Sequence, residues 1–381
     1  MSILFTDDQQ MLRDTVSGFL ADRYGFETRQ SAVRSEVGWQ PRIWTALAEE
    51  LGLFGAPFAE QLGGFGGGAV ENMIVMEAFG KALVIEPYLG TVVIAGGFLK
   101  YGGHPDAAQL SGQIVAGRMI CAFAYAEPQG RYDLANLTTS ARKRDGEWTL
   151  NGRKSVVIGA PWATHLVVTA RTAGSQKDLS GISVFLVEKA SPGISSVDYP
   201  TIDGTRASDI VFENVRLPDG CLIAPEDEAL PLIERVVDEA IAACCAEACG
   251  VMHMLYTDTI DYTRQRRQFG VPIASFQVLQ HRMVDMFIHL GKSLAMTTMA
   301  TRMLDAPDRE RALAVSSAKV QIGQACRFVG QNAVQLHGGI GITDELRLSH
   351  AFKRATVLEH QFGSVDHHLA RFEALSDQGV S

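Results

Sequence analysis

The sequence predicts an α+β protein built from three consecutive parts: an N-terminal helical domain over residues 1–117, a middle β-barrel domain over 118–229, and a C-terminal four-helix bundle over 230–381. Two observations lead to this prediction. Apolar residues recur every three or four positions at both ends of the chain, which is the helical period. Between these ends, short runs rich in β-branched and aromatic residues alternate with turn signals, as is typical of strands. A chain of 381 residues also exceeds the size of one ordinary core.

The first part begins with a helix start signal. Thr6 and Gln9 have the spacing of a capping box, and apolar residues follow them with a helical period. A glycine-rich run follows at Gly63–Gly68, and a further helix is predicted from about Val70 to Leu83. The glycine run lacks the Lys-Ser/Thr ending of a P-loop and follows no clear strand, so it carries little weight as a nucleotide site.

The middle part contains two pairs of turn residues. Asp145-Gly146 and Asn151-Gly152 flank the short run Glu147–Leu150, and both pairs tolerate positive φ, so both predict hairpin turns. Further strands are predicted at His165–Ala170, Ile182–Val187 and Ser208–Phe212.

The last part contains long helical patterns, which are long enough for a bundle. They run from about Leu232 to Arg264, Phe276 to Leu304 and Arg309 to Gln335. Cys244, Cys245 and Cys249 lie in the first of them, where they are expected as small buried hydrophobes. The adjacent His367 and His368 point apart on a helix, so polar surface positions or contacts near the chain terminus are predicted for them rather than metal ligands.

Composition excludes several classes of protein. Hydrophobic residues make up 46% and charged residues 20%, as in a compact soluble protein, and the net charge of -9 argues against nucleic-acid binding. The six cysteines show neither zinc-site spacing nor a secreted disulfide pattern. We find no export signal and no apolar run near the roughly 20 residues that span a bilayer, so a cytoplasmic location without a membrane span is expected.

Four local blocks resemble the acyl-CoA dehydrogenase family, and together they extend over most of the chain. They are Ala126-Glu127-Pro128 followed by Asp133, Asn151-Gly152-Arg153-Lys154, Arg266–Gly270 with Gln277, and Gln335–Gly341. Each block alone is a weak signal, but the four stand in the family's order at fitting intervals. The resemblance implies the family's three-domain fold, an FAD bound between the β domain and the C-terminal bundle, and a tetramer in which a neighbour completes the flavin site.

The resemblance also assigns cofactor residues. Arg266, Phe269 and Gln277 correspond to a block that reaches the FAD of a neighbouring subunit, and a guanidinium suits a pyrophosphate. Phosphate and ribityl contacts are implied for Gln335, Gly338 and Gly339, while Ala126, Val156 and Ile158 stand where the family contacts or covers the flavin. Two alternatives remain open: a solvated charge at Arg266, and a plain helix C-cap at the glycine turn.

The chain departs from the family where the chemistry takes place. Phe362 stands at the position of the family's catalytic glutamate, which removes the α-proton of an acyl-CoA thioester while flavin receives the β-hydride. A subset of the family carries this base on the first long C-terminal helix, at the position of Ala240 here. The family's Trp-x-Thr is replaced by Val156-Val157-Ile158, and its flavin-contacting threonine by Ala126.

Three carboxylates are candidates to replace the missing base. Glu239 adjoins Ala240, and a small change of helix phase could turn it toward the site. Glu247 lies on the same helix face as Ala240 in an apolar stretch, although a structural salt bridge is an equally acceptable role. Glu359 precedes Phe362 by three residues, and its alternative is an outward surface charge.

Two functions follow from the resemblance. One is an FAD-dependent acyl-CoA dehydrogenase for a medium-chain or dicarboxylyl thioester, with electron-transferring flavoprotein or a similar acceptor. In this case the chain forms a homo- or hetero-tetramer, the latter with a large-subunit paralogue. The other is a non-catalytic subunit that shapes a hetero-oligomer and contributes Arg266 and Gln277 to its partner's FAD.

Overall fold

The computed structural model describes residues 5–377, which form two compact units. The helical unit comprises residues up to 34, residues 69–84 and residues from 241 onward, and the sheet unit comprises residues 35–68 and 85–240. The predicted order of helices, sheet and helical bundle is confirmed. The domain limits 1–117, 118–229 and 230–381 stay a prediction.

The helices are α1 (Asp7–Arg23), α2 (Phe26–Arg34), α3 (Pro41–Glu49), α4 (Ala69–Ala82), α5 (Gly96–Gly102), α6 (Ala107–Val115), α7 (Leu230–Gln265), α8 (Gln277–Arg302), α9 (Asp308–His337), α10 (Arg347–His360) and α11 (Val365–Asp377). The helices predicted after Thr6 and near 70–83, 232–264, 276–304 and 309–335 correspond to α1, α4, α7, α8 and α9, and six further α-helices are present among the described residues. The predicted capping box is present, since the amide of Gln9 donates to Thr6 Oγ1 and the amide of Thr6 donates to Gln9 Oε1, each at 3.2 Å. It satisfies two amides that the first turn of α1 leaves without helical partners.

Packing in the helical unit centres on α9, which contacts α8, α10 and α11. Two glycines let α4 and α7 approach closely. A Cβ added at Gly80 would lie 2.0 Å from the carbonyl oxygen of Glu247, and one added at Gly250 would lie 2.0 Å from that of Glu77. Any larger residue at either position forces the two backbones apart.

A curled mixed sheet forms the centre of the sheet unit. Its strands are β1 (Cys121–Ala124), β2 (Ser140–Arg144), β3 (Glu147–Ile158), β4 (His165–Arg171), β5 (Ile182–Glu188), β6 (Ile194–Pro200) and β7 (Arg206–Pro218), in the order β1-β4-β2-β3-β7-β6 with β5 beside β4. β1 and β4 run parallel, and the long β3–β7 pair is antiparallel. Trp148, which is 1% exposed, packs edge-on against Phe185 in the core of this unit.

The two predicted turn pairs have different outcomes. Asp145-Gly146 forms the β2–β3 turn with φ of 52° and 82°, as predicted. The prediction of a turn at Asn151-Gly152 is wrong, because both residues lie inside β3 at a β-bulge opposite β7. Glycine is used there for close approach: a Cβ on Gly152, whose φ is 147°, would lie 2.5 Å from the Cα of Thr139.

A second bulge between Lys154 and Val157 sets the outward face of β3. Val156 adopts a φ of 53°, and its amide donates to Asp209 Oδ1 at 3.1 Å. The other carboxylate oxygen of Asp209 accepts from Arg153 at 2.6 Å. Asp209 therefore fixes a backbone turn that a valine adopts only at a cost.

A buried ion pair joins two of the family-like blocks. Lys154 Nζ donates to Glu127 Oε1 at 2.8 Å, with both side chains fully buried. Glu127 also accepts from the amides of Thr138 and Thr139 and from the Gln129 amide group. Burial by itself raises the pKa of Glu127, but the charge and hydrogen bond of Lys154 outweigh it and lower that pKa to about 2. Burial lowers the pKa of Lys154 to about 8, so the pair is ionised at neutral pH.

One expectation about apolar segments needs correction. Within residues 5–377, α7 is long and apolar enough to cross a membrane, with a mean hydropathy of 1.3 in its most apolar 18-residue window. The sequence analysis missed it because charged residues interrupt the run. That window is 83% buried inside the molecule, which is the behaviour of a core helix. All six cysteines are buried and unpaired, in agreement with their predicted role as small hydrophobes.

The buried pair gives a first prediction. Replacing Lys154 by methionine leaves the Glu127 carboxylate buried without its cation, so we expect the free energy of unfolding to fall by about 3–5 kcal/mol. The matched control is Arg153→Met, which breaks the neighbouring solvent-exposed pair with Asp209 and is expected to cost less than about 1 kcal/mol. Urea denaturation of both variants measures the difference, and equal losses would contradict the assigned role of Lys154.

The second prediction concerns acid. The folded pKa of Glu127, about 2, lies below its usual value of 4.5, so its stabilisation is complete above pH 4.5 and is lost as the pH falls toward 2. We expect the stability difference between the wild type and Glu127→Gln to shrink steadily over that window. Unfolding curves recorded at several pH values test this, and a pH-independent difference counts against it.

Candidate functional site

In the sheet unit, the residues assigned to the flavin by resemblance lie at the second bulge of β3. Val156 and Ile158 are 53% and 37% exposed, whereas Val157 between them is 1% exposed and lies in the core. The carbonyl of Ala126 accepts from the amide of Ser155 at 2.9 Å, so the two blocks are joined next to this surface. Glu127 directly follows Ala126 in the sequence, and Lys154 directly precedes Ser155, so the buried ion pair lies next to this hydrogen bond. Val156 and Ile158 therefore form an exposed aliphatic surface, and the hydrogen bond and the ion pair beside it hold their backbone in place.

In the helical unit, the Arg-Gln-Phe-Gly block forms a small hairpin. β8 (Arg267–Gln268) and β9 (Val271–Pro272) are joined by Phe269 and Gly270, with φ of 54° and 84°. The Phe269 ring is 92% exposed at the tip. Arg266 and Gln277, which stand before the hairpin and at the start of α8, are exposed as well. Within the chain the ring lies edge-on to Phe276, with 6.3 Å between the ring centroids, and the rest of its surface is accessible.

The glycine turn closes α9. Gly338 is the C-cap with a φ of 64°, and Gln335, Gly338 and Gly339 are all exposed. The C-cap alternative is therefore confirmed. A Cβ on Gly338 or Gly339 would meet no atom within 4 Å, so nothing nearby in the chain demands a bare backbone at Gly339. His337 is buried, its Nδ1 donates to the Ala333 carbonyl at 2.8 Å, and its ring stacks on Tyr262.

Each unit fits one chemical part of FAD. The aliphatic surface of Val156 and Ile158 suits the planar aromatic face of an isoalloxazine ring, whose polar groups lie at its edge. The exposed Arg266 guanidinium offers donors to a pyrophosphate, and the glycine turn offers close approach without side chains in the way. Among residues 5–377, no cluster of three or more His, Cys, Asp or Glu could hold a metal ion.

Phe362 lies in the short connection between α10 and α11. It adopts a φ of 59°, which is strained for an aromatic residue, and Gly363 follows with a φ of 131°. His368 of α11 bonds the Phe362 carbonyl at 3.1 Å, and Lys319 of α9 donates to the carbonyls of Leu358 and Glu359 at the end of α10. The connection is therefore held from two sides.

Sequence reasoning missed both residues that hold this connection. Of the two alternatives predicted for His367 and His368, the polar surface position is wrong for His368, which is 0% exposed and whose pKa burial lowers to about 3. A Cβ on Gly363 would lie 2.4 Å from its ring, so the histidine and the glycine fit together. Lys319, also buried, carried one usable signal: a lone cation on an otherwise apolar helix face.

Two of the three candidate carboxylates lie in ion pairs. Arg354 donates two hydrogen bonds of 2.6 and 2.7 Å to the Glu247 carboxylate, and both side chains are largely buried. The structure therefore contains the salt bridge that was the alternative role predicted for Glu247. Glu359 pairs with Arg327 and is only 5% exposed, so the alternative of an outward surface charge is wrong. Its helix lies against α9, which covers it.

Glu239 has a different environment. It is half-buried and accepts a 2.5 Å hydrogen bond from the Tyr101 hydroxyl of α5. The Arg235 guanidinium lies 4.1 Å from the centre of the Tyr101 ring, and Lys100 lies 4.6 Å from it. Burial, followed by the charge of Glu239, raises the pKa of Tyr101, so the phenol remains a donor at neutral pH. Sequence reasoning found Glu239 but not Tyr101, which lies 138 positions away.

Comparison with known proteins gives a consistent result. Models of the acyl-CoA dehydrogenase N-terminal, middle and C-terminal domains match residues 6–117, 122–215 and 231–372 in that order. The chain is 27% identical to "Probable acyl-CoA dehydrogenase YngJ" of Bacillus subtilis over 94% of this chain and 95% of that protein. It is 27% identical to "Caffeyl-CoA reductase-Etf complex subunit CarC" of Acetobacterium woodii, covering 93% and 94%.

Solved structures share the fold. The ChsE4-ChsE5 complex from Mycobacterium tuberculosis superposes with a TM-score of 0.88 at 24% identity, covering 98% of both chains. Members of the matched family are FAD-dependent, which confirms the predicted cofactor.

The environment of Glu247 gives a third prediction. Glu247→Gln leaves the largely buried Arg354 without its counter-charge, so we expect a loss of about 3–5 kcal/mol of unfolding free energy. Asp258→Asn is the control, because it breaks a pair with the half-exposed Arg347, and its expected loss is below about 1 kcal/mol. If Glu247→Gln proved as stable as the wild type, its carboxylate would not serve a structural role and the base assignment would regain weight.

Proposed function

We propose that this chain, which belongs to the acyl-CoA dehydrogenase family, is one subunit of a hetero-oligomeric, FAD-dependent acyl-CoA dehydrogenase. In this assembly a larger paralogue supplies the proton-abstracting carboxylate. The proposal rests on the resemblance, which aligns Phe362 with the family's catalytic glutamate, and on the contacts of His368 and Lys319 that hold the connection around it. A phenyl ring has no site that accepts a proton, so this segment cannot serve as the base.

The remaining carboxylates support the same proposal. Glu247 accepts two hydrogen bonds from Arg354, and Glu359 accepts one from Arg327, so both carboxylates are already engaged by a cation inside the chain. A base must have its carboxylate free to face the substrate. Neither residue therefore suits removal of an α-proton.

The exposed hairpin gives this subunit a role in its partner's flavin site. FAD, when bound, accepts the β-hydrogen of the acyl chain as a hydride. On this chain, Arg266 would donate to the pyrophosphate of the FAD in the adjoining subunit, while Phe269 and Gln277 pack beside it. Such a role requires that these residues be exposed in the single chain, because a side chain buried in its own subunit could not contact a neighbouring one.

Resemblance and relatives suggest the substrate and electron acceptor. The segments near Tyr24, at Gly63–Gly68 and at Asp366–Leu369 resemble the small subunit of pimeloyl-CoA dehydrogenase, which favours a medium-chain or dicarboxylyl thioester. The relative CarC is named as a subunit of an Etf complex, which favours an electron-transferring flavoprotein as acceptor. The ChsE4-ChsE5 complex has the same fold and is itself a complex.

A second candidate function has one observation in its favour. Glu239 is the candidate carboxylate that accepts from a neutral phenol, at 2.5 Å, and it adjoins the position where a subset of the family carries its base. If Glu239 accepts the α-proton, this chain is a complete dehydrogenase by itself. The Tyr101 hydrogen bond would then orient the carboxylate.

A fourth prediction separates the two. The chain is purified alone and with a co-expressed large-subunit paralogue, and flavin absorbance is followed anaerobically after adding pimeloyl-CoA or octanoyl-CoA. We expect bleaching only in the mixture, with Glu239→Gln bleaching as fast as the wild type. Bleaching by the lone chain that Glu239→Gln abolishes would establish the second candidate instead.

A further prediction concerns the contribution of Arg266 to flavin binding in the mixed complex. We expect Arg266→Ala in this chain to lower the flavin content of the mixed complex by about tenfold, since one charge-assisted contact to phosphate is lost. Arg264→Ala, which removes a neighbouring exposed charge, should leave it unchanged. Equal effects of the two variants would indicate a general charge effect and contradict the assigned contact.

A further inference from the structure

The helical unit contains a cavity of about 450 Å³. It is lined by α1, by the connection into α2, by the C-terminal end of α4, by α7 and by the first residue of α10. Binding sites for small molecules commonly have volumes of about 300–1,000 Å³. The lining shares no residue with the surfaces assigned to FAD or with the candidate bases, so the cavity belongs to neither of those sites.

Small side chains on two packed helices create this space. Ser17 and Ala21 are four residues apart on α1, and Ala78 and Ala82 are four residues apart on α4, so each pair lies on one helix face. α1 packs against α4, and both of these faces line the cavity. Larger side chains at the four positions would fill the gap, as they do in a close-packed interior.

The wall of the cavity is largely apolar. Leu20, Leu83 and Met254 line it, and each of them is only 4% exposed. An alkyl or aryl group that contacts these side chains leaves water itself, which is favourable in proportion to the apolar area removed. The wall therefore favours a ligand with an apolar body.

Leu83 is held in an unusual conformation at this wall. It directly follows α4 with a φ of 55°, in the left-handed region that helices usually give to glycine. The buried Arg29 donates from Nε to the Leu83 carbonyl at 2.8 Å and fixes the backbone there. Leucine at this position supplies a side chain that glycine lacks, and that side chain lines the cavity. The wall is thus formed in advance, which lowers the ordering cost of binding.

Two cations line the cavity and retain hydrogen-bond donors. Lys81 Nζ lies 2.7 Å from Glu77 Oε1, and Arg347 donates from Nε and Nη2 to the two oxygens of Asp258. An ammonium has three N–H groups and a guanidinium has five, so each cation keeps some of them. Over residues 5–377, neither Lys81 nor Arg347 makes a further hydrogen bond.

These remaining donors suit a single carboxylate. Carboxylate oxygens accept charge-assisted hydrogen bonds from ammonium and guanidinium groups. Glu77 and Asp258 balance the two cations, so the attraction comes from directed hydrogen bonds rather than from a net positive charge. A phosphate dianion would bring more negative charge near the same two acids and is disfavoured. A monocarboxylate with an apolar body fits both the donors and the wall.

We infer that this cavity is a ligand site and that it binds a monocarboxylate with an apolar body. The carboxylate accepts from Lys81 and Arg347, and the body packs against Leu20, Leu83 and Met254. The inference uses neither the cofactor nor the catalytic base, so it is independent of the proposed function. A ligand that contacts both α4 and α10 also stabilises the folded chain, because it binds only that state.

Equilibrium dialysis of radiolabelled octanoate against the purified full-length chain tests the ligand class. We expect saturable binding that is at least about tenfold tighter than that of 1-octanol, which has the same body and no carboxylate. Saturating octanoyl-CoA should leave the octanoate bound, because the inferred site is not the one that takes a thioester. Absence of saturable binding, equally tight binding of the alcohol, or displacement by octanoyl-CoA would each overturn the inference.

Two variants of α1 locate the bound octanoate. Ala21→Phe places a ring in the cavity from an exposed position, so we expect binding to weaken by about tenfold or more without a lower thermal midpoint. The control Thr15→Phe adds the same ring at an exposed position outside the cavity and should leave binding unchanged. If Ala21→Phe binds octanoate as the wild type does, the ligand lies elsewhere and the assignment of the cavity is wrong.

Two further variants test the donors. Lys81→Met and Arg347→Met keep most of the side-chain bulk, and each is expected to weaken octanoate binding by about five- to tenfold while leaving octanol binding unchanged. Both native ion pairs are partly exposed, so both variants are expected to fold. The control Lys353→Met removes another cation of α10, outside the cavity, and should change neither ligand. Octanoate binding that is as tight in both cation variants as in the wild type would exclude these residues as carboxylate donors.

Discussion

The sheet unit depends on one buried ion pair. The charges of Glu127 and Lys154 have left water entirely, so each is tolerable only because the other is present and because further donors surround the carboxylate. The pair joins the loop after β1 to the middle of β3, where the bulge begins. Removing either partner leaves an uncompensated charge beneath the surface of Val156 and Ile158. The position of the exposed face assigned to the flavin by resemblance therefore depends on this ion pair.

The connection at Phe362 shows a different relation between scaffold and chemistry. Backbone in the left-handed region is costly for phenylalanine, so other contacts must maintain it. His368 and Lys319 do so by satisfying carbonyls that would otherwise lack partners at the end of α10. The side chain on this supported backbone is a phenyl ring, which accepts no proton. Together with the resemblance that aligns Phe362 with the family's glutamate, this is the reason that we propose another subunit for the proton abstraction.

The helical unit presents two exposed features that differ in chemistry. The hairpin carries Phe269 at its tip and Arg266 beside its first strand, so it offers both an aromatic ring and a cation to an anionic ligand. Helix α8 exposes the apolar side chains of Val284, Phe287 and Ile288. The first feature suits a phosphate-bearing cofactor, whereas the second offers no polar group to such a ligand.

The sequence alone determined the order of helices, sheet and bundle, the cap at Thr6, the turn at Asp145-Gly146 and the family, because these depend on periodicity, local turn chemistry and short blocks. Only the tertiary structure decided which carboxylates are engaged. Arg354 lies 107 positions from Glu247, and Tyr101 lies 138 positions from Glu239, distances over which no local pattern specifies a partner. It also decided that Asn151-Gly152 continues a strand, since pairing with β7 outweighs a local turn preference. Burial of His368 and Glu359 followed the same rule: side chains far apart in sequence set the environment of a charge.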